Sequence, residues 1–172
     1  MRFNPPLLVA ALAIAGLVPA RGSAQMNAAE RKRALKTEIT PELRLAVARG
    51  FQHLLTLQNQ KGEFDDTYPV AVNALVGLAF LAGGFSERAG PAAYAESMRR
   101  CTEALLARQN QAGYFHDGKS VMYGHGFATL YLAELYGTYG AANDRIRNAL
   151  ERAIRVIEGS QSPSGGWDYG PG

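Results

Sequence analysis

Gln109-Asn-Gln-Ala-Gly113-Tyr-Phe115 is one of three copies of a single punctuation: a glutamine, three residues, a glycine, one residue and an aromatic ring. The others run from Gln58 through Gly62 to Phe64 and from Gln161 through Gly165 to Trp167. Their glycines are 51 and then 52 residues apart, so the chain is a tandem repeat before it is anything else.

Each copy follows an amphipathic helix. Thr40-Pro41-Glu42 starts the first, with a cap residue, a proline whose missing N–H costs nothing in the first turn, and an acid at the positive end of the helix dipole. Its apolar residues, Leu43, Val47, Phe51, Leu54 and Leu55, fall on one stripe. The repeat offset carries the stripe to Tyr94, Met98, Thr102, Leu105 and Leu106, and then to Ile146, Leu150, Ile154 and Ile157. Two further columns repeat: Arg49, Arg100 and Arg152, and the small residues Gly50, Cys101 and Ala153. Cys101, the single cysteine, therefore reads as a filler of a tight slot, and no intramolecular disulfide is available.

Each complete copy also precedes a second kind of helix. Val70 to Ala82 and Phe127 to Leu135 are apolar on nearly every face, so each has to be covered on more than one side. Gly83-Gly84 and Gly137 read as their stops. The prediction is an all-α chain of helical hairpins, with amphipathic helices outside and apolar helices inside, in units starting near 40, 91 and 142 and occupying 40–172. The glutamine would satisfy backbone groups at the end of the outer helix, the glycine allow a tight turn, and the ring fill the joint.

Ahead of the repeats, Arg2, the apolar run Leu7–Val18 and Gly22-Ser23-Ala24 read as a signal peptide, residues 1–24, cut after Ala24. A dozen apolar residues are too few to span a bilayer, so an exported protein, periplasmic or extracellular, with no stable membrane span is expected. Residues 25–39 form a polar leader. Without residues 1–24 the chain holds 16 Lys and Arg against 15 Asp and Glu, and its basic cluster is confined to the leader, so nucleic acid is not an expected partner.

Gln161 to Trp167 resembles the QW motif of squalene-hopene and related triterpene cyclases, and the other two copies resemble degenerate forms of it. Residues 40 to 170 are thus similar to the prenyltransferase and squalene-oxidase repeat family, whose fold is an α/α toroid of inner and outer helices around a cavity. Met122 to Tyr136 is similar to exported bacterial proteins that carry this repeat. A closed toroid takes five or six hairpins. Two full repeats and the outer helix of a third make an incomplete one, expected to be an N-terminal fragment that needs its remaining repeats or a capping partner.

The resemblance implies that loops ahead of the inner helices face the cavity mouth, which singles out Glu63, Asp65, Asp66, Thr67 and Tyr68 in the first unit and His116, Asp117, Tyr123 and His125 in the second. Of these, Asp65, Asp66, Tyr123 and His125 are the ligand-binding candidates. Glu63-Phe-Asp65-Asp66-Thr67 resembles the acid motif with which squalene-hopene cyclases protonate an alkene, paired carboxylates keeping one proton available. It departs in having Glu first and in the Tyr68-Pro69 that follows. His125 lies near the zinc-binding histidine of protein prenyltransferase β-subunits, but the Asp-x-Cys partner is missing, so neither metal nor other cofactor is expected. The inner helices would suit an isoprenoid-like or other apolar, extended ligand. A non-catalytic interaction scaffold of the cell envelope and a carbohydrate-active toroid are the alternatives, and the reaction, if there is one, stays open.

Overall fold

A computed structural model describes Ala29, residues 39–139 and residues 143–171. The expected signal peptide lies outside the described residues, as does most of the leader. The chain divides into two units, 1–40 and 41–172. In the first, Ala29 is helical and Ile39 and Thr40 are exposed. The second is all-helical: α1 is Pro41–Leu57, α2 Pro69–Ala82, α3 Ala92–Ala107, α4 Val121–Tyr139 and α5 Asp144–Gly159. Among the described residues the β-type pairing is confined to two isolated bridges, Ser86 with Ala89 and Gln109 with Phe115. No described helix is long and apolar enough to cross a membrane.

The apolar helices α2 and α4 lie side by side and run in the same direction. A Cβ built on Gly124 would lie 3.2 Å from Val70 Cγ1, and one on Gly77 would lie 2.4 Å from the Tyr131 ring, so seven residues along one helix match seven along the other. Outer helix α3 runs against α2: Cys101 Sγ donates to the Asn73 carbonyl at 3.3 Å, and the Tyr94 and Phe80 rings are 5.5 Å apart. Between outer helices the sense is again the same, with Gln52 Nε2 donating to Tyr94 Oη at 2.9 Å and Gln58 Nε2 to the Ser97 carbonyl at 2.9 Å. One core runs between the two layers, from Phe51, Phe80 and Tyr94 through Met98, Leu105, Tyr131 and Leu132 to Ile146 and Leu150.

Two expectations need correction. The stripe of α3 and α5 is mostly buried, but in α1 Leu43 is 46% and Val47 49% exposed. Gly137 does not end its helix, because α4 continues to Tyr139. Tyr139 is buried, with the Arg88 guanidinium 4.4 Å above its ring. Such packing outweighs the roughly 1 kcal/mol that a glycine costs inside a helix.

Gly77 sets the close approach of the inner helices. Alanine there would gain about 1 kcal/mol of helix propensity. Its Cβ, however, would meet the Tyr131 ring, which is fully buried and tied by its hydroxyl to Thr102 at 2.8 Å. Overpacking of this kind costs about 1–3 kcal/mol, so Gly77→Ala should lower stability in urea denaturation. Gly50→Ala, with open space around it in α1, should raise it.

Candidate functional site

The three Gln-Gly-aromatic turns are where sequence and structure meet most closely. Gln58 Nε2 donates to its own turn at the Gly62 carbonyl (3.1 Å) and across to Ser97 of the next outer helix. Gln109 Nε2 does the same with Gly113 (2.9 Å) and Ala149 (2.8 Å). The glutamine thus ties its turn to the middle of the following helix, beyond the end-capping expected of it. Each glycine has positive φ, 86° at Gly62, 98° at Gly113 and 87° at Gly165, a region that side chains with a Cβ resist. A second constraint holds at two of them. A Cβ on Gly62 would lie 2.5 Å from the Arg100 carbonyl oxygen, and one on Gly113 2.6 Å from that of Arg152. The arginine column completes the joint: Arg100 Nη2 donates to the Asn59 carbonyl at 2.5 Å, and Arg152 Nη2 donates to Gln109 Oε1. Phe115 is fully buried and Phe64 half-buried in these joints, whereas Trp167 is exposed and donates from Nε1 to the Ile157 carbonyl at 2.7 Å.

The first loop does not gather its acids into a pair. Glu63 is only 4% exposed and accepts from Arg108 Nη2 at 2.6 Å and Nε at 2.9 Å, which ties the loop to the end of α3. Asp65 Oδ1 accepts the backbone N–H groups of Thr67 (2.7 Å) and Tyr68 (2.5 Å). Asp66 is exposed and accepts from Asn59 Nδ2 at 3.2 Å. The three carboxyls hold three different pieces of backbone or side chain. They are not arranged as the proton-sharing pair that the resemblance to the cyclase acid motif would imply.

Asp117 is the counterpart of Asp65, one residue later because His116 is inserted. Its Oδ1 accepts from Lys119 N (2.9 Å) and Ser120 N (2.6 Å), and its Oδ2 from the Ser120 hydroxyl and from Val70 N at 3.0 Å. Val70 is the second residue of α2, so the second loop caps the first inner helix. Burial opposes the charge on Asp117, but the hydrogen bonds from Ser120, Lys119 and Val70 outweigh it and hold the pKa below the usual carboxylate value. A depressed carboxylate adds stability above its unfolded-state pKa that is lost as pH falls through the folded value. Asp117→Ala should cost about 1–2 kcal/mol near neutrality. It should also flatten the acid limb of a stability-against-pH curve measured by urea denaturation.

His125, expected at the cavity mouth, is fully buried in the joint. Its Nδ1 accepts the Phe115 N–H at 3.2 Å and its Nε2 donates to the Ala153 carbonyl at 3.0 Å, so both nitrogens are used and the tautomer is the Nε2–H form. Asn73 holds the same place one unit earlier, its Oδ1 accepting the Phe64 N–H at 2.9 Å. Cys101 is also internal, and burial raises its thiol to about 12, far from the reactive thiolate range. Among the described residues, no cluster of three or more His, Cys, Asp or Glu is placed to hold a metal ion.

Tyr123 is the candidate that reaches a concave surface. It lines a groove of about 390 Å³ with Met122, Gly126, Ile157, Trp167, Asp168 and Tyr169, mostly apolar, with its ring 5.6 Å from that of Tyr169. Tyr123 is 63% exposed and is followed on the same face of α4 by Phe127 and Leu130. The equivalent face of α2 carries Ala71, Leu75 and Leu78. No protein-family model, curated protein or solved structure matches the chain significantly.

Proposed function

We propose that residues 41–172 are part of an α/α toroid, exported behind a cleaved signal peptide, whose inner helices line a cavity for an apolar or extended ligand of isoprenoid character. The observation that supports this reading is the uncovered side of the inner layer. Leu75 is 46% and Leu130 49% exposed, with Leu78, Tyr123 and Phe127 beside them, although the opposite faces of α2 and α4, from Val70 and Phe80 to Tyr131 and Leu135, are buried. Apolar side chains in adjacent rows, with aromatics at one end, make a surface for a long hydrocarbon. Asp168 is the carboxylate among the residues lining the groove, which gives the carbohydrate alternative no second acid there.

The test is thermal denaturation with farnesol, squalene or geranylgeranyl diphosphate. A ligand at 100 times its Kd stabilises by about 2.7 kcal/mol, so a rise in midpoint is expected with at least one of them. Leu75→Asp with Leu130→Asp should abolish the rise and leave the ligand-free midpoint nearly unchanged. No rise with any of the three, or a rise indifferent to those substitutions, contradicts the reading.

A further inference from the structure

The third turn is an unfilled copy of the first two. Gln58 and Gln109 each hold two carbonyls, their own turn's and one on the next outer helix, whereas Gln161 Nε2 donates to its own turn, at Gly165 O and 2.9 Å. Gly62 and Gly113 each abut the backbone of an arginine, but around Gly165 a Cβ would find open space out to 4 Å, at the same positive φ. The inner layer shows the matching vacancy. Val70 and Ala74 of α2 are fully buried, Val70 with Gly124 of α4 closely over it. Their equivalents in α4, Met122 and Gly126, line the open groove with Trp167. A slot for an outer helix and a groove for an inner helix thus stand side by side.

We propose that this face docks a helical hairpin of the α4–α5 kind: an apolar helix with a small residue over Met122, then an amphipathic helix whose arginine backbone sits on Gly165 and whose guanidinium reaches Gln161 or the Ser162 carbonyl. Such a hairpin would continue the two joints already formed in the chain, where those groups meet at hydrogen-bonding distance. A second copy cannot supply the hairpin from its own first unit. Its α2 comes with α1 in front of it, in the place that α5 already fills. The proposal rests on the array of hairpins and not on any ligand.

Repeating residues 118–161 directly after Asp168 supplies such a hairpin in register, because Asp168 then stands where Asp65 and Asp117 stand in their units. Trp167, the single tryptophan, reports on the groove. The extended chain should melt about 5 °C or more above the 172-residue chain, and Trp167 emission should move to shorter wavelength as the ring is covered. Gly165→Ala, which carries backbone strain in both chains, should lower the midpoint of the extended chain further than that of the 172-residue chain and so remove most of the difference between them, because only in the extended chain does the new Cβ also meet an arginine backbone. An extended chain that melts no higher or emits at the same wavelength overturns the proposal, and so does a gain that survives Gly165→Ala. Isoprenoid binding plays no part in these readouts, so failure here is distinguishable from failure of the cavity reading.

Discussion

Gly113→Ala is expected to destabilise the chain by about 3 kcal/mol or more, a loss large enough to threaten folding of a domain this size. Two effects add. A non-glycine residue at φ 98° carries about 1–2 kcal/mol of backbone strain. The new Cβ also lies 2.6 Å from the Arg152 carbonyl oxygen and 2.7 Å from its carbon, atoms of a helix backbone that cannot swing aside. Overpacking against such a neighbour costs about 1–3 kcal/mol. Gly62→Ala, at 2.5 Å from the Arg100 carbonyl oxygen, should behave alike. Gly165→Ala carries the strain alone and should cost about 1–2 kcal/mol. Urea denaturation of the three variants separates the two effects, since equal losses at all three positions would mean that the turn conformation, and not the neighbouring helix, selects glycine.

His125→Leu is expected to cost about 3 kcal/mol, because it strands two buried backbone groups, the Phe115 N–H and the Ala153 carbonyl, at about 1–3 kcal/mol each. His125→Asn should cost less, since Asn73 receives the Phe64 N–H in the equivalent place. The pH dependence is a second signature. Burial lowers the His125 pKa, opposed in part by the bond to Ala153, and a proton on Nδ1 would face the Phe115 N–H. The unfolded chain then takes up a proton below the ordinary histidine pKa while the folded chain does not. Stability is therefore full above that pKa and falls as the pH drops from it toward the folded value. Equilibrium unfolding at pH 7.5 and at pH 5 should show this loss in the wild type and a smaller one in His125→Asn. A loss of the same size in both would assign it elsewhere.

The helices were legible because their signals are long and periodic: a stripe repeated at a fixed offset, and inner helices greasy on all sides. The role of the turn was half legible. Glycine and glutamine announce a turn, but the reach of Gln109 to Ala149 and the approach of Arg152 to Gly113 depend on how units stack. Spacing within one unit carries no such information. The arginine column at 49, 100 and 152 was the clue, and it reads as surface charge until a neighbouring turn is placed beside it.

Among the site candidates, proximity in sequence does not mean a shared task. Glu63, Asp65 and Asp66 are adjacent, and adjacent residues in a turn point apart. One carboxylate goes to Arg108, one to the N–H groups of Thr67 and Tyr68, and one to Asn59. His125 drew notice as a histidine among glycines, although its column partner Asn73, a lone polar residue in an apolar helix, was the better guide to its task. A polar side chain kept at one position of successive buried helices has a backbone group to satisfy. Tyr123 and Asp66 are both exposed, and of the two Tyr123 lines the groove.

The first two Gln-Gly-aromatic turns are joints that grip the outer helix of the next unit, through Gln58 and Gln109. Substituting alanine for Gln58, Gln109 and Gln161 in turn, and measuring unfolding free energy, tests this most directly. Losing two carbonyl partners, one of them on the neighbouring outer helix, should cost about 2 kcal/mol at Gln58 and at Gln109. At Gln161, where the bond stays within the turn, the loss should be under about 1 kcal/mol. Equal losses at the three positions, or a Gln161 variant as damaged as the other two, would contradict it.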